Sequence, residues 1–237
     1  MEVPLEGLPP ELDGFTILHL SDLHLGTASL NGLTLDRAAE WAERTPSDLV
    51  VLTGDLLSRR RGAPRLQRAL ARFRAEHGVY AVLGNHDVPA ARDALDAALL
   101  EDSSVVLDVR GRRVQLVGGG AALDWKHRQL ERFADPDADL RILLFHFPDV
   151  TQWLPSGSYD LVLAGHLHGG QICLPLPGGG KLRFEHLRAL HWEGLHRTRA
   201  GMLHVSRGLG TSFVPFRLLA RPEATKLVLR CRTGSTR

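Results

Sequence analysis

The stretch Leu161-Val162-Leu163-Ala164-Gly165-His166-Leu167-His168-Gly169-Gly170-Gln171 joins an apolar run to two histidines that are one residue apart. The run is typical of a buried strand, and the glycines around the histidines predict a turn at its end. Two imidazoles on such a turn can point into one shared space, which is an arrangement that binds metal ions. Because the chain has 12 histidines, some pairs are expected by chance, and the pair needs support from other segments.

Four earlier strand ends carry residues of the same chemical kind. They are Asp22-Leu23-His24 after Phe15–Leu20, Asp55 after Asp48–Thr53, Asn85-His86-Asp87 after Val79–Leu83, and His146 after Arg141–Phe145. Taken singly, each is also ordinary turn or capping chemistry. In open α/β sheets, however, ligands bind at the carboxyl ends of the strands. The recurrence at five strand ends therefore favours a single site.

The segments between these strands predict the fold class. Four segments are predicted to be helices: Thr34–Arg44, the segment after Pro64, the segment from Pro89 toward Leu100, and Lys126–Ala134. The first three show apolar residues at helical spacing or a proline that can open a helix. Repeated strand-loop-helix units imply parallel strands with right-handed crossovers. Short strands joined through Gly111 predict a hairpin, and residues 170–230 contain mostly short strands and loops. We therefore expect an α/β protein with two mixed sheets.

The composition fits one full-sized core. The 237 residues are 43% hydrophobic, and we expect a single domain over residues 1–237. With 29 basic and 27 acidic side chains, the net charge of +2 argues neither for nor against nucleic acid as a partner. Cys173 and Cys231 form no Cys-x-x-Cys pair, which excludes a disulfide scaffold and a zinc finger.

The N-terminal segment does not have the features of a secretory signal. Residues 1–10 show no basic segment followed by an apolar core, and no uncharged apolar run approaches the ~20 residues of a membrane span. We expect a soluble, cytoplasmic protein that lies at most on the surface of a membrane.

The mixture of candidate ligands narrows the choice of metal. The ligands are Asp22, His24, Asp55, Asn85, His146, His166 and His168. Carboxylate, amide and imidazole groups without thiolates suit Mn, Fe, Zn or Co. Seven ligands exceed what one tetrahedral zinc ion can use, so we expect two divalent ions that share a carboxylate, with Mn as the ion to supply in vitro. Two ions about 3.5–4 Å apart can generate hydroxide and hold the oxygens of a phosphate ester during its hydrolysis.

These residues resemble those of the calcineurin-like metallophosphoesterase superfamily. The resemblance extends from Phe15 to Gln171, and it rests on the series Asp22-x-His24, Gly54-Asp55, Gly84-Asn85-His86-Asp87, His146 and Gly165-His166-x-His168. It implies a four-layer α/β/β/α sandwich of two mixed sheets. It also implies a ligand set in which Asp22, His24 and His168 hold the first metal, Asn85, His146 and His166 hold the second, and Asp55 bridges the two.

The resemblance also implies roles for His86 and Asp87. His86 matches the family histidine that meets the substrate without binding a metal, and we expect it to assist the leaving group. Asp87 would then orient the imidazole of His86. Our candidate for a contact with the substrate phosphate is Arg207, which lies in the glycine-rich loop Ser206–Thr211. A surface arginine in a flexible loop is the alternative.

Residues Gly165–Gln171 (the GHxHGGQ motif) and Ser206–Thr211 resemble a bacterial branch of phosphodiesterases. That branch is often membrane-associated through an N-terminal anchor, which we expect this chain to lack, and it includes enzymes that cleave the pyrophosphate link of UDP-2,3-diacylglucosamine. We therefore expect a dinuclear phosphoesterase in which a metal-bound hydroxide attacks phosphodiester or pyrophosphate bonds of a small-molecule or lipid-linked substrate. The alternatives are a metal-dependent DNA exonuclease and a phosphomonoesterase. A non-catalytic scaffold is disfavoured, because no ligand of the series is missing.

Three further features bear on these alternatives. We interpret Arg59-Arg60-Arg61 as a solvated loop in preference to a groove for a nucleic-acid strand. We interpret the apolar segment Phe213–Leu219 as buried under a loop, with a lipid-facing lip as the alternative. We expect His19 to belong to the core or to contact a ligand, because it lies inside a strand.

Overall fold

The computed structural model describes residues 1–95, 97–120, 129–178, 180–183 and 189–232. The described residues form the α-helices α1 (Asn31–Arg44), α2 (Ala63–Leu70) and α3 (Ala90–Ala94). Their strands are β1 (Glu2–Leu5), β2 (Thr16–Leu20), β3 (Leu49–Thr53), β4 (Val79–Val82), β5 (Ala98–Leu99), β6 (Ser103–Val109), β7 (Arg112–Gly118), β8 (Leu140–Leu144), β9 (Leu161–Ala164), β10 (Cys173–Pro175), β11 (Lys181–Arg183), β12 (Gly194–Arg197), β13 (Met202–Val205) and β14 (Thr225–Cys231).

The first sheet has the strand order β1-β14-β2-β3-β4-β5. Strands β2 to β5 are parallel, as the strand-loop-helix units predict. Strand β14 runs antiparallel to β2 and parallel to β1. Our sequence analysis did not predict β1, in which Val3 and Leu5 alternate with exposed residues and are buried in the core.

The second sheet has the strand order β12-β13-β9-β8-β7-β6. Strands β7, β8, β9 and β13 are parallel, and β12 and β6 pair antiparallel at the two edges. The predicted hairpin around Gly111 is confirmed as β6 and β7. Strands β10 and β11 form a separate two-stranded hairpin.

The two sheets pack face to face, which confirms the predicted α/β fold with two mixed sheets. One cluster of buried residues, which includes Ile17 and Val51 from the first sheet and Ile142 and Leu163 from the second, fills the space between them. Helices α1 to α3 cover the outer face of the first sheet. The 3-10 helices Leu130–Phe133 and Pro148–Gln152 cover the outer face of the second.

Several predicted elements differ in extent from the observed ones. Helix α1 begins at Asn31, before the predicted Thr34, and α3 ends at Ala94, so the predicted helix toward Leu100 is too long. Of the helix predicted over Lys126–Ala134, residues 126–128 lie outside the described residues, and Leu130–Phe133 is a 3-10 helix. No helix within the described ranges has the length and apolar character needed to cross a membrane. The single-domain organisation stays a prediction.

The segment Phe213–Leu219 is exposed, so our prediction that a loop buries it is wrong. Phe213 is 88% exposed, and Phe216, Leu218 and Leu219 are also exposed. The reason is the inward orientation of Arg217, whose guanidinium donates hydrogen bonds to the carbonyl groups of Gly208, Gly210 and Ala220. With the polar residue of the segment facing inward, its apolar neighbours face solvent. We call Phe213–Leu219 the apolar lip.

Candidate metal centre

The predicted strand ends meet at one edge shared by the two sheets. Asp22 and His24 follow β2, Asp55 follows β3, His146 follows β8, and His166 and His168 follow β9. Backbone hydrogen bonds continue beyond the strands, because the amide of Asp22 donates to Gly54 O (2.9 Å) and the amide of His24 donates to Asp55 O (2.8 Å). The loops that carry the candidate ligands are therefore held to one another.

The side chains form two groups of potential ligands. The first contains Asp22, His24 and His168, and the second contains Asp55, His146 and His166. Within each group the ligand atoms lie within 4.8 Å of one another. The Oδ2 atom of Asp55 is 3.4 Å from Nε2 of His24 and 3.4 Å from Nε2 of His146. Asp55 thus contacts both groups, as a bridging carboxylate must.

The distances within the groups fit divalent cations. Nε2 of His24 lies 3.1 Å from Nε2 of His168, and Nε2 of His146 lies 3.2 Å from Nδ1 of His166. Two ring nitrogens that face each other this closely cannot both carry a proton, so at least one of each pair presents a lone pair. Converging imidazole lone pairs and carboxylate oxygens are the donor set of Mn, Fe, Co and Zn. The residues therefore fit a divalent ion in each group.

Most candidate ligands have an unusual backbone conformation. The φ angle is positive at Asp22 (52°), His24 (43°), Asp55 (54°), His166 (75°) and His168 (50°). Left-handed backbone costs a non-glycine residue about 1–3 kcal/mol and occurs preferentially at functional sites. The surrounding packing must supply this energy in order to hold the ligands in place.

Gly165 allows the second sheet to approach Asp22. A Cβ atom at this position would lie 2.0 Å from Oγ of Ser21 and 2.3 Å from Oδ2 of Asp22, so only glycine fits. The next amide, that of His166, donates to both carboxylate oxygens of Asp22 at 3.1 and 3.0 Å. This close contact joins the end of β9 to the end of β2 at the site.

The protonation states follow from burial and from neighbouring charges. Burial lowers the pKa of His24 to about 4 and the pKa of His168 well below its ordinary value, so both rings are neutral at pH 7, as metal ligands must be. Burial alone would raise the pKa of Asp55, but the adjacent rings of His146 and His24 lower it overall. Burial opposes the charge on His146, but Asp55 raises the pKa of this ring to about 9. A cation in the second group has to replace that proton.

The loop after β4 places Asn85 and His86 at the surface of the site. Both residues are exposed, and the amide of His86 donates to Oδ1 of Asp55 at 2.8 Å. The centroid of the His86 ring is 5.6 Å from that of His24 and 5.7 Å from that of Phe213. His86 and His24 line the same open pocket of about 800 Å³. His86 therefore lies beside the first group without belonging to it, whereas the role of Asn85 as a ligand stays a prediction.

Asp87 makes contacts other than the predicted one with His86. Its Oδ1 atom accepts hydrogen bonds from the amides of Leu56 and Leu57, both at 2.7 Å, and its Oδ2 atom accepts one from the amide of Gly84 at 2.8 Å. These three donors bind both carboxylate oxygens, and within the described residues Asp87 forms no hydrogen bond with the imidazole of His86. Asp87 therefore joins the loop after β4 to the loop after β3.

Arg207 contacts two carboxylates, and its predicted contact with the substrate phosphate stays a prediction. Its Nε atom donates to Oε2 of Glu223 at 2.8 Å, its amide donates to Oε1 of Glu223 at 2.9 Å, and Nε lies 3.7 Å from Oε2 of Glu193. Two carboxylates near one guanidinium neutralise the charge that a phosphate would need. The contacts of Arg207 therefore fix the loop after β13.

Our sequence analysis missed Arg217, which supports a candidate ligand directly. Its guanidinium donates to Nδ1 of His168 at 3.1 Å and to the carbonyl oxygen of His168 at 3.0 Å. Because a guanidinium only donates, Nδ1 accepts, and the proton of the neutral ring lies on Nε2. In the sequence, Arg217 is the single charged residue of the apolar segment Phe213–Leu219, and this position could have indicated its inward contacts.

Two further contacts orient ligand rings from the first sheet. The hydroxyl of Ser58 lies 2.8 Å from Nδ1 of His24, and the carbonyl oxygen of Thr53 lies 2.8 Å from Nδ1 of His146. Such contacts fix the tautomer and the orientation of a metal-binding histidine. Below the site, His19 is fully buried, as predicted, and its Nδ1 atom lies 2.8 Å from Nδ1 of His204 in the second sheet.

The chain is similar in sequence to known proteins. The sequence profile of the calcineurin-like phosphoesterases matches residues 15–170. The uncharacterized metallophosphoesterase YkoQ of Bacillus subtilis (strain 168) is 30% identical over 233 residues, which cover 93% of this chain and 85% of YkoQ. The phosphodiesterase YaeI of Escherichia coli (strain K12) is 30% identical, and the match covers 91% of this chain and 82% of YaeI. The UDP-2,3-diacylglucosamine pyrophosphatase LpxG of Chlamydia muridarum (strain MoPn / Nigg) is 26% identical, and the match covers 93% of this chain and 84% of LpxG.

Proposed function

Because the chain belongs to the calcineurin-like phosphoesterase family, we propose that it is a dinuclear enzyme that hydrolyses phosphodiester or pyrophosphate bonds. Family membership, together with the phosphodiesterase and pyrophosphatase relatives, makes it a metal-dependent phosphoric ester hydrolase. The observation that carries the dinuclear proposal is the position of Asp55, whose Oδ2 atom is 3.4 Å from a histidine of each ligand group. We propose manganese as the ion to supply in vitro.

The protein residues have separate tasks in this proposal. Asp22, His24 and His168 would hold one ion, His146 and His166 together with Asn85 would hold the other, and Asp55 would bind both. When bound, the ions would polarise the phosphoryl oxygens and activate water. The chain itself holds the ligand rings in position through Ser58, Thr53 and Arg217.

His86 is the residue that we propose as the proton donor to the leaving group. It is exposed in the pocket beside His24, and its backbone amide is held by Asp55. Water adds to phosphorus, and the bond from phosphorus to the leaving oxygen breaks. The ring of His86 passes a proton to that oxygen, and the proton that the attacking water loses to solvent restores the protonated state of the ring. A diester then yields a monoester and an alcohol, and a pyrophosphate yields two monophosphates.

We propose that diesters and pyrophosphates are preferred over monoesters. A monoester dianion is usually bound by several fixed cations beside the metals. Arg207 is paired with Glu223, and Arg217 binds His168 and backbone carbonyl groups. The cations that remain in the pocket are Arg59 and Arg61, which we assign to a second phosphate and not to the reacting one. The proton that His86 supplies favours the departure of an alkoxide from a diester.

The test compares kcat/KM for bis(p-nitrophenyl) phosphate and p-nitrophenyl phosphate with Mn supplied. We expect the diester value to be at least about tenfold higher, and we expect a chelator to abolish both activities. A higher value for the monoester would make the protein a phosphomonoesterase. A single-stranded DNA substrate that is degraded from its ends with a higher kcat/KM than the diester would make it an exonuclease. Either result would leave the metal site intact.

The apolar lip leads us to propose a lipid-linked substrate and contact with a membrane surface. Phe213 lines the pocket that contains His86, and Phe216, Leu218 and Leu219 continue the exposed apolar surface beside it. Apolar side chains next to a pocket suit acyl chains or the outer layer of a bilayer. We place this activity in the cytoplasm, where Cys173 and Cys231, which are not joined to each other, stay reduced.

Co-sedimentation with vesicles tests the membrane contact. We expect the wild-type protein to sediment with vesicles of phosphatidylglycerol and phosphatidylethanolamine, and we expect Phe213→Ser/Phe216→Ser to reduce the bound fraction several-fold, because each ring loses its favourable burial. Leu190→Ser is the control, since Leu190 is exposed but lies outside the lip. Equal binding by the wild-type protein and the lip variant would refute the contact.

A further inference from the structure

We propose that Arg59 and Arg61 form a subsite for a second phosphate group of the substrate, beside the phosphate that the candidate metal centre would hold. This inference rests on the proposed function and narrows it. A substrate with two linked phosphates, such as a pyrophosphate diester, would fill both positions. A simple phosphodiester would fill only one.

The pocket at the site has a chemically mixed lining. His24, a member of the first ligand group, and His86 line it. Phe213 adds an apolar side chain to the lining, and Ser58, Arg59 and Arg61, which we call the charged wall, add polar and charged ones. The charged wall therefore shares one pocket with a residue that would hold a metal ion beside the reacting phosphate.

The backbone fixes the charged wall to a candidate ligand loop. The amides of Ser58 and Arg59 both donate to the carbonyl oxygen of Leu25, at 3.0 and 3.2 Å. The hydroxyl of Ser58 lies 2.8 Å from Nδ1 of His24. Arg59 thus follows a residue that contacts a ligand ring, so its position relative to the candidate metal centre is set by several hydrogen bonds.

Gly26 shows how tightly the two loops pack. Its φ angle is +88°, and a Cβ atom there would lie 2.4 Å from the carbonyl oxygen and 2.8 Å from the Cβ atom of Arg59. Its carbonyl oxygen also accepts a hydrogen bond from Nε of Arg61. The backbone of residue 26 therefore supports both arginines, and a larger residue would displace Arg59.

Both guanidinium groups are available to an anion. Arg59 and Arg61 are exposed, and no carboxylate of the described ranges forms an ion pair with either of them. By contrast, Arg207 nearby in the fold is paired with Glu223. Two uncompensated guanidinium groups on one pocket wall attract phosphate and can bind its oxygens in pairs. Our interpretation of this segment as only a solvated loop is therefore replaced by a binding role.

The charge of the substrate decides between a diester and a pyrophosphate. A phosphodiester carries one negative charge, and the candidate metal centre would already balance it. Two further cations in the same pocket are then matched only by a second anionic group. Because the hydroxyl of Ser58 contacts the ligand ring of His24 and Arg59 is the next residue, we expect the second anionic group to be a phosphate joined directly to the reacting one.

The experiment measures inhibition of bis(p-nitrophenyl) phosphate hydrolysis by the Mn-loaded protein. The inhibitors are methylenebisphosphonate, which mimics two linked phosphates, and methylphosphonate, which mimics one. The variants are Arg59→Ala/Arg61→Ala and, as a matched control, Arg60→Ala. Arg60 is exposed and carries the same charge, but it does not line the pocket.

We expect wild-type protein to bind methylenebisphosphonate more tightly than methylphosphonate. In the double variant, the ratio of the two inhibition constants should fall about 10- to 100-fold, as expected for the loss of hydrogen bonds to charged groups. Arg60→Ala should keep the wild-type ratio. Arg59→Lys/Arg61→Lys should recover part of the preference, because lysine keeps the charge and loses the paired geometry.

Three results would overturn the subsite. The double variant could keep the wild-type ratio because neither inhibitor binds more weakly. It could also keep the ratio because both inhibitors weaken equally, which would indicate only a general charge effect. If the double variant loses affinity only for a thymidine oligonucleotide, and for neither inhibitor, the arginines bind the backbone of a nucleic acid. If the wild-type protein does not hydrolyse the diester at all, the proposed function fails. The same ratio, measured by calorimetric titration of the Mn-loaded variants, then still decides the subsite.

Discussion

Replacement of Asp55 with alanine should cost the protein both of its proposed metal ions. Oδ2 of Asp55 is 3.4 Å from His24 in one group and 3.4 Å from His146 in the other, so a single side chain serves both sites. Loss of a residue that only supports a ligand already costs ~10–100-fold in metal affinity, and the loss of a shared ligand should cost at least as much at each site. Elemental analysis after dialysis against a defined free-metal concentration measures the result.

The comparison with His168→Ala makes this test specific. His168 belongs to one group only, so we expect this variant to keep about one ion per chain, whereas wild-type protein should hold two. The Asp55→Ala variant should hold less than one metal ion per chain. If metal-loaded wild-type protein never exceeds one ion per chain, the dinuclear proposal is wrong. If Asp55→Ala retains one tightly bound ion, Asp55 is not the bridge.

His86→Ala should slow turnover while leaving the metals in place. His86 lies next to His24 in the pocket but outside both ligand groups. A positioned general acid typically contributes ~10²–10⁴-fold, and we expect a reduction of kcat in this range. The reduction should be larger for diphenyl phosphate than for bis(p-nitrophenyl) phosphate, because the more basic phenoxide depends more strongly on protonation.

His77→Ala is the control for removal of an imidazole elsewhere. His77 packs against Phe15, with ring centroids 5.8 Å apart, and lies outside the pocket. We expect its kcat and metal content to match those of wild-type protein. Loss of metal from His86→Ala would identify His86 as a ligand, and an equal loss of rate with both substrates would exclude its role as a proton donor.

The positions of most candidate ligands could be predicted because strand ends determine them. Apolar runs identify β2, β3, β8 and β9, and parallel strands bring their carboxyl ends to one edge. The side chains of Asp22, Asp55 and His146 then had to lie close together. The positive φ angles of the ligands could not be predicted, because they result from tertiary packing and not from local preference.

The supporting contacts could not be predicted, because their partners are distant in sequence. Asp87 could contact His86, its neighbour, or the amides of Leu56 and Leu57, and only the fold decides between them. Arg207 meets Glu223 through the loop that leads to β14, and Arg217 meets His168 from 49 residues away. Our alternative for Arg207 was a surface arginine in a flexible loop, whereas its ion pair with Glu223 joins the loop after β13 to the segment before β14.

Each candidate ligand group draws on both sheets, so a bound ion would act as a cross-link. His24 comes from the first sheet and His168 from the second, and they are 144 residues apart in the chain. Joining such distant segments restricts the unfolded chain in the way that a long-range disulfide does. The two cysteines, Cys173 and Cys231, are not joined to each other by such a bond. The resistance of the protein to heat and to proteases should therefore follow its metal supply, and a chelator should act on it as a mild denaturant.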